Sequence, residues 1–398
     1  MSTLRSQHQQ PTTLDLAHFH VDPQRGFLPA HDPLGHLPMS FAPWEEAAHE
    51  LPKLLIAGTV RRYLEQLPLL KVAALHKLSQ LERAMMLLSY FGHAYVWGDA
   101  VPASRLPASL AVPWYALSQR LGRPPVLSYA SYALHNWRRL DPAGPIALGN
   151  IVLLQNFLAG ADEEWFILVH VDIEAKMGPA LAALGEVQAA VMDNQVHKVE
   201  QHLTTIADAL EQAYATLLRM PEWCDPYIYY HRVRPYIHGW KNHPALPRGV
   251  TYEGVEAYQG VPQQFRGETG AQSSIIPALD AALGIAHKND PLRPYLMEMR
   301  DYMPKEHRAF ITVIEQGPSV REYVAAHHSD RPALQAVYNA CVRWMADFRA
   351  KHLEYAARYI HQQSQSREDN PTHVGTGGTP FMPYLKKHRD ETLEHLLG

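Results

Sequence analysis

Apolar positions recur at helical spacing near the C-terminal end of this chain. Between Asn339 and Ile360, the residues Cys341, Met345, Phe348, Tyr355 and Tyr359 fall on one stripe at roughly 100° per residue, and His352 fills the slot between Phe348 and Tyr355. Arg343, Asp347, Arg349, Lys351, Glu354 and Arg358 occupy the opposite face. The pattern predicts an amphipathic helix over 332–361 with an imidazole inside its buried stripe. Such a ring needs partners for its nitrogens, either a backbone carbonyl, as in an ordinary core, or a metal ion. The pattern alone leaves both open.

The same periodicity predicts helices over 44–56, 60–67, 78–95, 227–239, 274–285, 307–315 and 319–326. Pro179 opens a long helical pattern running to Met220, with its clearest stripe at Leu203, Ile206, Leu210, Ala213 and Leu217. That run is too long for one globular helix, so a break is expected near Met192, Asp193 and Asn194. Residues 1–50 read as an extended arm, and Pro102, Pro107, Pro113, Pro124 and Pro125 as a proline-studded link. The run 126–139 and the stretch 145–161 follow, and in the latter helix and strand cannot be separated by period. Strand signals are scarce, so the fold class is all-α. The division expected is a smaller, mainly helical N-terminal domain (1–157) and a large helical domain (158–398). Two polar loops stand out, 260–274 and 362–379, the second ending in GTGGT; a segment of this kind is either a lid or a connector.

Composition narrows the function classes. The 398 residues are 46% hydrophobic and 19% charged, with 36 Lys plus Arg against 40 Asp plus Glu, a net charge of −4. This is a globular protein with no basic surface for nucleic acid or anionic lipid. The stretch 142–161 is interrupted by Pro145, Gly149 and Asn150, so no membrane span is expected. Two cysteines, Cys224 and Cys341, make no disulfide framework, and a reducing cytoplasm fits. The 24 histidines make solubility and association sensitive to pH.

Nucleophile-elbow, HExxH and phosphate-loop patterns are absent. The spacing of His231, His238 and His243 does not place all three on one helical face, which argues against a metal cluster there. Tyr227, Tyr230 and Arg234 follow an i, i+3, i+7 spacing, which sets aromatic surface beside a guanidinium fork suited to a carboxylate. An interface arginine stacked on tyrosines is the equal alternative. Pro235 is expected to kink that helix. His170 ends an apolar run from Trp165, either as a core histidine or as a titratable group facing a site.

Several separate signatures then occur in order: RGFLPAHDPL (25–34), SYASYALHNW (128–137), RVRPYIHGWK (232–241), TYEGV (251–255), AQSSIIPALDAALGI (271–285), YMPKEHRAF (302–310), PSVREYV (318–324), HLEYAARYI (352–360) and GTGGTPFMPYLKKHRDET (375–392). Together they resemble the indoleamine 2,3-dioxygenase family from about residue 25 to 393. The resemblance implies an all-α enzyme that holds haem b and opens the indole ring of L-tryptophan with O2, giving N-formylkynurenine.

The resemblance assigns roles to particular residues. It makes His352 the protein ligand to the haem iron, with Asp280 and Arg349 beside it and Arg349 directed to a haem propionate. Gly270 and Ala271 lie in the haem-contacting loop. Arg234 is the carboxylate partner, Tyr230 an aromatic against the substrate, Tyr129 and Phe166 the walls of the indole pocket, and Thr376 the loop residue that closes over the amino acid. The N-terminal domain caps the haem pocket, and a monomer or weak homo-oligomer is expected. Three departures from the animal pattern bear on substrate preference. His170 stands at a serine position, similar in type to the distal histidine of tryptophan 2,3-dioxygenases. Tyr229 and Tyr230 replace a phenylalanine pair. FRGETG (265–270) replaces small residues and puts the Glu268 carboxylate near the haem edge. Two rival readings remain: an enzyme of the same superfamily acting on another tryptophan-derived indole, and a haem or gas-binding protein without turnover.

Overall fold

Helix α1 (Ala42–Ile56) opens with Pro43 in its first turn and buries Trp44, Ala47, Ala48, Leu51 and Leu55, a one-sided stripe. The computed structural model describes residues 14–287, 292–364 and 382–398. α2 (Val60–Glu65) leads to α3 (Leu78–Trp97), which is buried almost throughout. The expected proline link contains a further helix, α4 (Ala108–Leu121), which corrects that reading. Pro107 serves as its N-cap, where a missing N–H costs nothing, and Pro113 sits inside at the loss of one backbone bond. Burial of Leu110, Ala111, Trp114, Leu117 and Leu121 outweighs that loss. α3 and α4 meet at Gly92, where a β-carbon would come within 2.1 Å of the Trp114 ring, so only glycine fits.

The ambiguous stretches before residue 161 resolve into a two-stranded antiparallel ribbon. β2 (Trp137–Arg139) pairs with β3 (Ile151–Leu153), in register from Trp137 opposite Leu153 to Arg139 opposite Ile151. A second, parallel pair joins β1 (Arg105–Leu106) to β4 (Thr251–Tyr252). α5 (Ala161–Lys176) follows; no periodicity marks it, because it is buried on nearly every side. Ile167, Leu168, Val171 and Ala175 join one hydrophobic core, built largely from α1–α4, while Val169 and Ile173 join a second, built largely from later helices with Phe19, Val21 and Phe27 of the N-terminal segment. α5 is therefore the partition between two cores. α6 (Gly178–Met192) and α7 (Val196–Leu218) are separated where expected, with Asn194 at φ 54 in the left-handed region.

Beyond α7 the chain forms α8 (Pro226–Ile228), α9 (Arg234–Ile237), α10 (Ile275–Leu283), α11 (Leu292–Arg300), α12 (Lys305–Glu315), α13 (Val320–His327), α14 (Pro332–Ala356), α15 (Gln362–Ser364) and α16 (Met382–Leu393). The fold is predominantly helical, as the patterning predicts. α5 and α14 both pack along α7 and scarcely touch each other, which separates the elements that carry His170 and His352. No helix among the described residues is long and apolar enough to cross a membrane.

Candidate active site

Three π-helical turns occur among the described residues, and each adjoins a candidate site residue. Tyr129 caps the first (Ala130–Leu134), Tyr230 lies in the second (Tyr229–Val233), and the third (Ala357–His361) closes α14 beyond His352. Such turns are rare and gather at functional sites. The second has a sequence cause. Pro235 has no N–H to donate, and the widened turn before it lets the Arg234 N–H reach back five residues to the Tyr229 carbonyl.

That turn redistributes the residues expected on one face. Tyr227 is exposed and lies against His231 instead. Tyr230 is fully buried, with the Arg234 guanidinium 5.3 Å from its ring centre, and Arg234 is fully buried too. Tyr229, not Tyr230, turns toward Phe166, with ring centres 4.7 Å apart. Phe166 also lies 4.7 Å from the His170 ring, and Tyr129 meets His170 edge-on at 5.9 Å. Phe166 packs against both cores, so this aromatic group sits at their junction.

His170 is anchored by its own helix. Nδ1 lies 2.7 Å from the Phe166 carbonyl one turn earlier, so Nδ1–H donates and Nε2 is left as an acceptor. Burial lowers the pKa below its ordinary value, against the opposing effect of that hydrogen bond, so the ring is neutral at pH 7. His352 differs. It shows no hydrogen bond to the described residues and is exposed among them, which corrects the buried slot expected for it, while Arg349, expected on the polar face, is buried. Surrounding protein, followed by His170, nonetheless pushes its pKa down to about 4. Its nitrogens are therefore neutral at pH 7.

One turn before His352, Arg349 donates from Nη2 to both carboxylate oxygens of Asp280 of α10, at 2.8 and 2.6 Å, and from Nη1 to Thr392 of α16. Burial alone would raise the Asp280 pKa, but Arg349 and His287 hold it below the usual carboxylate range. Gly270 opens a 3-10 turn (Gly270–Gln272) whose Ala271 N–H is capped by Thr269, and a β-carbon on Gly270 would meet nothing within 4 Å. Just before it, Gly239 and Gly267 cross so closely that a β-carbon on either would lie 2.1 Å from the other's nitrogen. This crossing carries Glu268 inside, where burial raises its pKa to about 8. Thr376 and the rest of the GTGGT segment lie outside the described residues.

Periodicity missed one group. Glu174, fully buried and one turn beyond His170, accepts hydrogen bonds from Tyr129 Oη at 2.9 Å and Ser273 Oγ at 3.0 Å. Burial outweighs both bonds and raises its pKa to about 7. Gln272 adds a bond from the Tyr129 N–H at 2.9 Å, so Tyr129 is fixed at backbone and side chain. The i, i+4 spacing from His170 was the available signal, lost with the helix itself.

The model of the indoleamine 2,3-dioxygenase family matches residues 15–395. The chain belongs to that family. Indoleamine 2,3-dioxygenase 1 of Rattus norvegicus is 38% identical across 96% of both chains. Indoleamine 2,3-dioxygenase 2 of Homo sapiens is 34% identical over the same shares. A third relative, a 6-hydroxytryptophan 2,3-dioxygenase of Fusarium equiseti, is 32% identical over 96% of this chain and 98% of its own. As an indoleamine 2,3-dioxygenase family member the chain is an oxidoreductase of the dioxygenase type. Within that family frame, the aromatic group around His170 and the Asp280–Arg349 pair beside His352 are the two halves of the candidate active site.

Proposed function

We propose that the chain is a haem-dependent dioxygenase that opens the indole ring of L-tryptophan with O2 to give N-formylkynurenine. The observation that carries this reading is the neutral His170, anchored to the Phe166 carbonyl and packed against Phe166 and Tyr129, which leaves Nε2 as an acceptor among aromatic rings. A flat ring bearing a single N–H, such as an indole, suits these surroundings.

The donor set fits haem b. His352 supplies a neutral imidazole, Arg349 a cation for a propionate, and Gly270 a turn with free space beside its backbone. Bound ferrous haem supplies the activation of dioxygen, so both oxygen atoms end in the product and no reductant is consumed per turnover. The protein's part is placement. Arg234, buried and charged, binds the substrate carboxylate. Phe166, Tyr129 and Tyr229 hold the indole plane, with Tyr230 supporting Arg234 from below, and His170 Nε2 accepts the indole N–H. Glu174 and Gln272 hold Tyr129 in place, and Thr376 belongs to the segment that completes the amino-acid end of the site. We place the smaller domain (1–157) as the cap and the larger (158–398) as the haem holder. A cytoplasmic setting agrees with two buried, unpaired thiols, Cys224 and Cys341.

The substrate in the name of the Fusarium relative favours a second reading, a ring-hydroxylated tryptophan. The Tyr129–Glu174–Ser273 hydroxyl cluster supplies polar contacts for a ring hydroxyl. Reduced, haem-loaded enzyme given labelled dioxygen and each substrate decides between them. N-formylkynurenine carrying both labelled atoms, formed fastest from tryptophan, is expected. Faster turnover of the hydroxylated substrate assigns the second reading, and no oxygen uptake with either contradicts both.

A further inference from the structure

We propose that His287, His388 and Glu391 form a divalent transition-metal site, of the kind that takes Zn(II), separate from the haem and clamping the C-terminal helix to the body of the protein. One donor atom from each lies within 4.8 Å of the others. His388 and Glu391 stand at i and i+3 on α16, so they share a helical face. His287 follows the end of α10, and its Nδ1 lies 3.0 Å from Glu391 Oε2. Two imidazoles and a carboxylate are a usual zinc donor set with a fourth position left for water.

Three further observations point to an ion rather than to an ordinary surface cluster. Glu391 is only 4% exposed, and its Oε1 meets just a long ion pair, 3.5 Å, to the half-buried Lys387. Behind His287, Nε2 lies 3.5 Å from Asp280 Oδ2 and 3.4 Å from Arg349 Nη2, so the Asp280–Arg349 pair fixes the ring from that side and Nδ1 is the nitrogen that faces Glu391. The His287 and His388 rings lie face to face, 4.1 Å between centres and 11° from parallel. Zinc bonds of about 2.0–2.1 Å require the donors to close from their present spacing, a side-chain adjustment available to partly exposed rings.

The position gives the site a consequence. Asp280 is the residue that Arg349 grips, and Arg349 also bonds Thr392 on α16. A metal at His287 therefore ties α16, α10 and α14 at one point, next to the Arg349 side chain. The inference stands on this geometry and does not depend on the proposed reaction.

The test uses full-length, haem-loaded protein treated with chelator and then titrated with Zn(II). One equivalent of zinc per chain, besides the iron, is expected to remain after gel filtration and to raise the melting temperature. His287→Asn, His388→Asn and Glu391→Gln should each lose that equivalent or weaken it at least tenfold, with helical circular dichroism unchanged. Asp280→Asn should weaken it by about 10–100-fold. His49→Asn, at an exposed histidine, should bind as the parent does. Zinc-edge X-ray absorption of the one-to-one complex tests the ligand set without any variant, and two imidazoles with oxygen ligands are expected. Absence of stoichiometric zinc, retention of it by the ligand variants, or a shell with other than two imidazoles would overturn the proposal.

Discussion

Replacing His170 by serine removes one defined interaction and leaves its surroundings in place. Nδ1 is committed to the Phe166 carbonyl at 2.7 Å, so the contribution to substrate comes from Nε2 alone. A single neutral hydrogen bond is worth about 0.5–1.5 kcal/mol net, which corresponds to a loss of roughly two- to twelvefold in kcat/KM for tryptophan. 1-Methyltryptophan has no N–H to donate, so its kcat/KM should hardly change, and the preference for tryptophan should shrink by the same factor. The pH dependence has a fixed sign. Desolvation keeps the His170 pKa below 6.5, so Nε2 accepts at neutral pH and is lost as an acceptor as pH falls through that lowered value. The parent therefore loses kcat/KM on the acid side, and His170→Ser shows a flatter limb. Steady-state oxygen uptake from pH 5 to 8 with both substrates measures all three effects. An unchanged acid limb together with an unchanged substrate ratio would refute the reasoning and make His170 a packing residue.

Other consequences are checked more simply. Arg234→Ala should weaken tryptophan binding by roughly tenfold to over a hundredfold, from the loss of about 1.5–3 kcal/mol; indole, which has no carboxylate, should bind as before, and an equal loss for both would make Arg234 structural. Gly92→Ala should lower the urea midpoint by the equivalent of about 1–3 kcal/mol or more, although alanine ordinarily favours a helix, because its β-carbon meets Trp114; a neutral or stabilising result contradicts the packing described. Burial holds His93 and His307 near pKa 3 and His243 near 4. Unfolding therefore takes up protons below the ordinary pKa of 6.5, so this stability is fully present above 6.5 and declines as pH falls; a urea midpoint that does not move between pH 7 and 5 excludes it.

What the sequence revealed follows from how each element is buried. α7 has one wet face, so its stripe stands out, and the break at Asp193 was legible from length; in α14 the helical period was legible but not the whole face, since Arg349 is buried and His352 exposed. α5 divides two cores and has no wet face, so the helix carrying Phe166, His170 and Glu174 left no period to find. α4 was hidden by prolines that serve as cap and interior residue rather than as breaks. The π-helical turns have no simple sequence signature, and one of them decides that Tyr229, rather than Tyr230, meets Phe166. The Asp280–Arg349 pairing came from resemblance, since residues so far apart in sequence share no periodicity, and the structure joins them at 2.6 Å.

The assignment of two histidines to two roles is the centre of this account. By local geometry His170, with its backbone-anchored Nδ1, and His352, without such an anchor, are both chemically able to hold iron. The visible absorption spectrum of reconstituted His352→Ala, read beside His170→Ala, separates them. The account predicts that His352→Ala loses the Soret band of bound haem while His170→Ala keeps the parent's haem content. A His352→Ala protein with the parent spectrum, or a His170→Ala protein unable to retain haem, would contradict it.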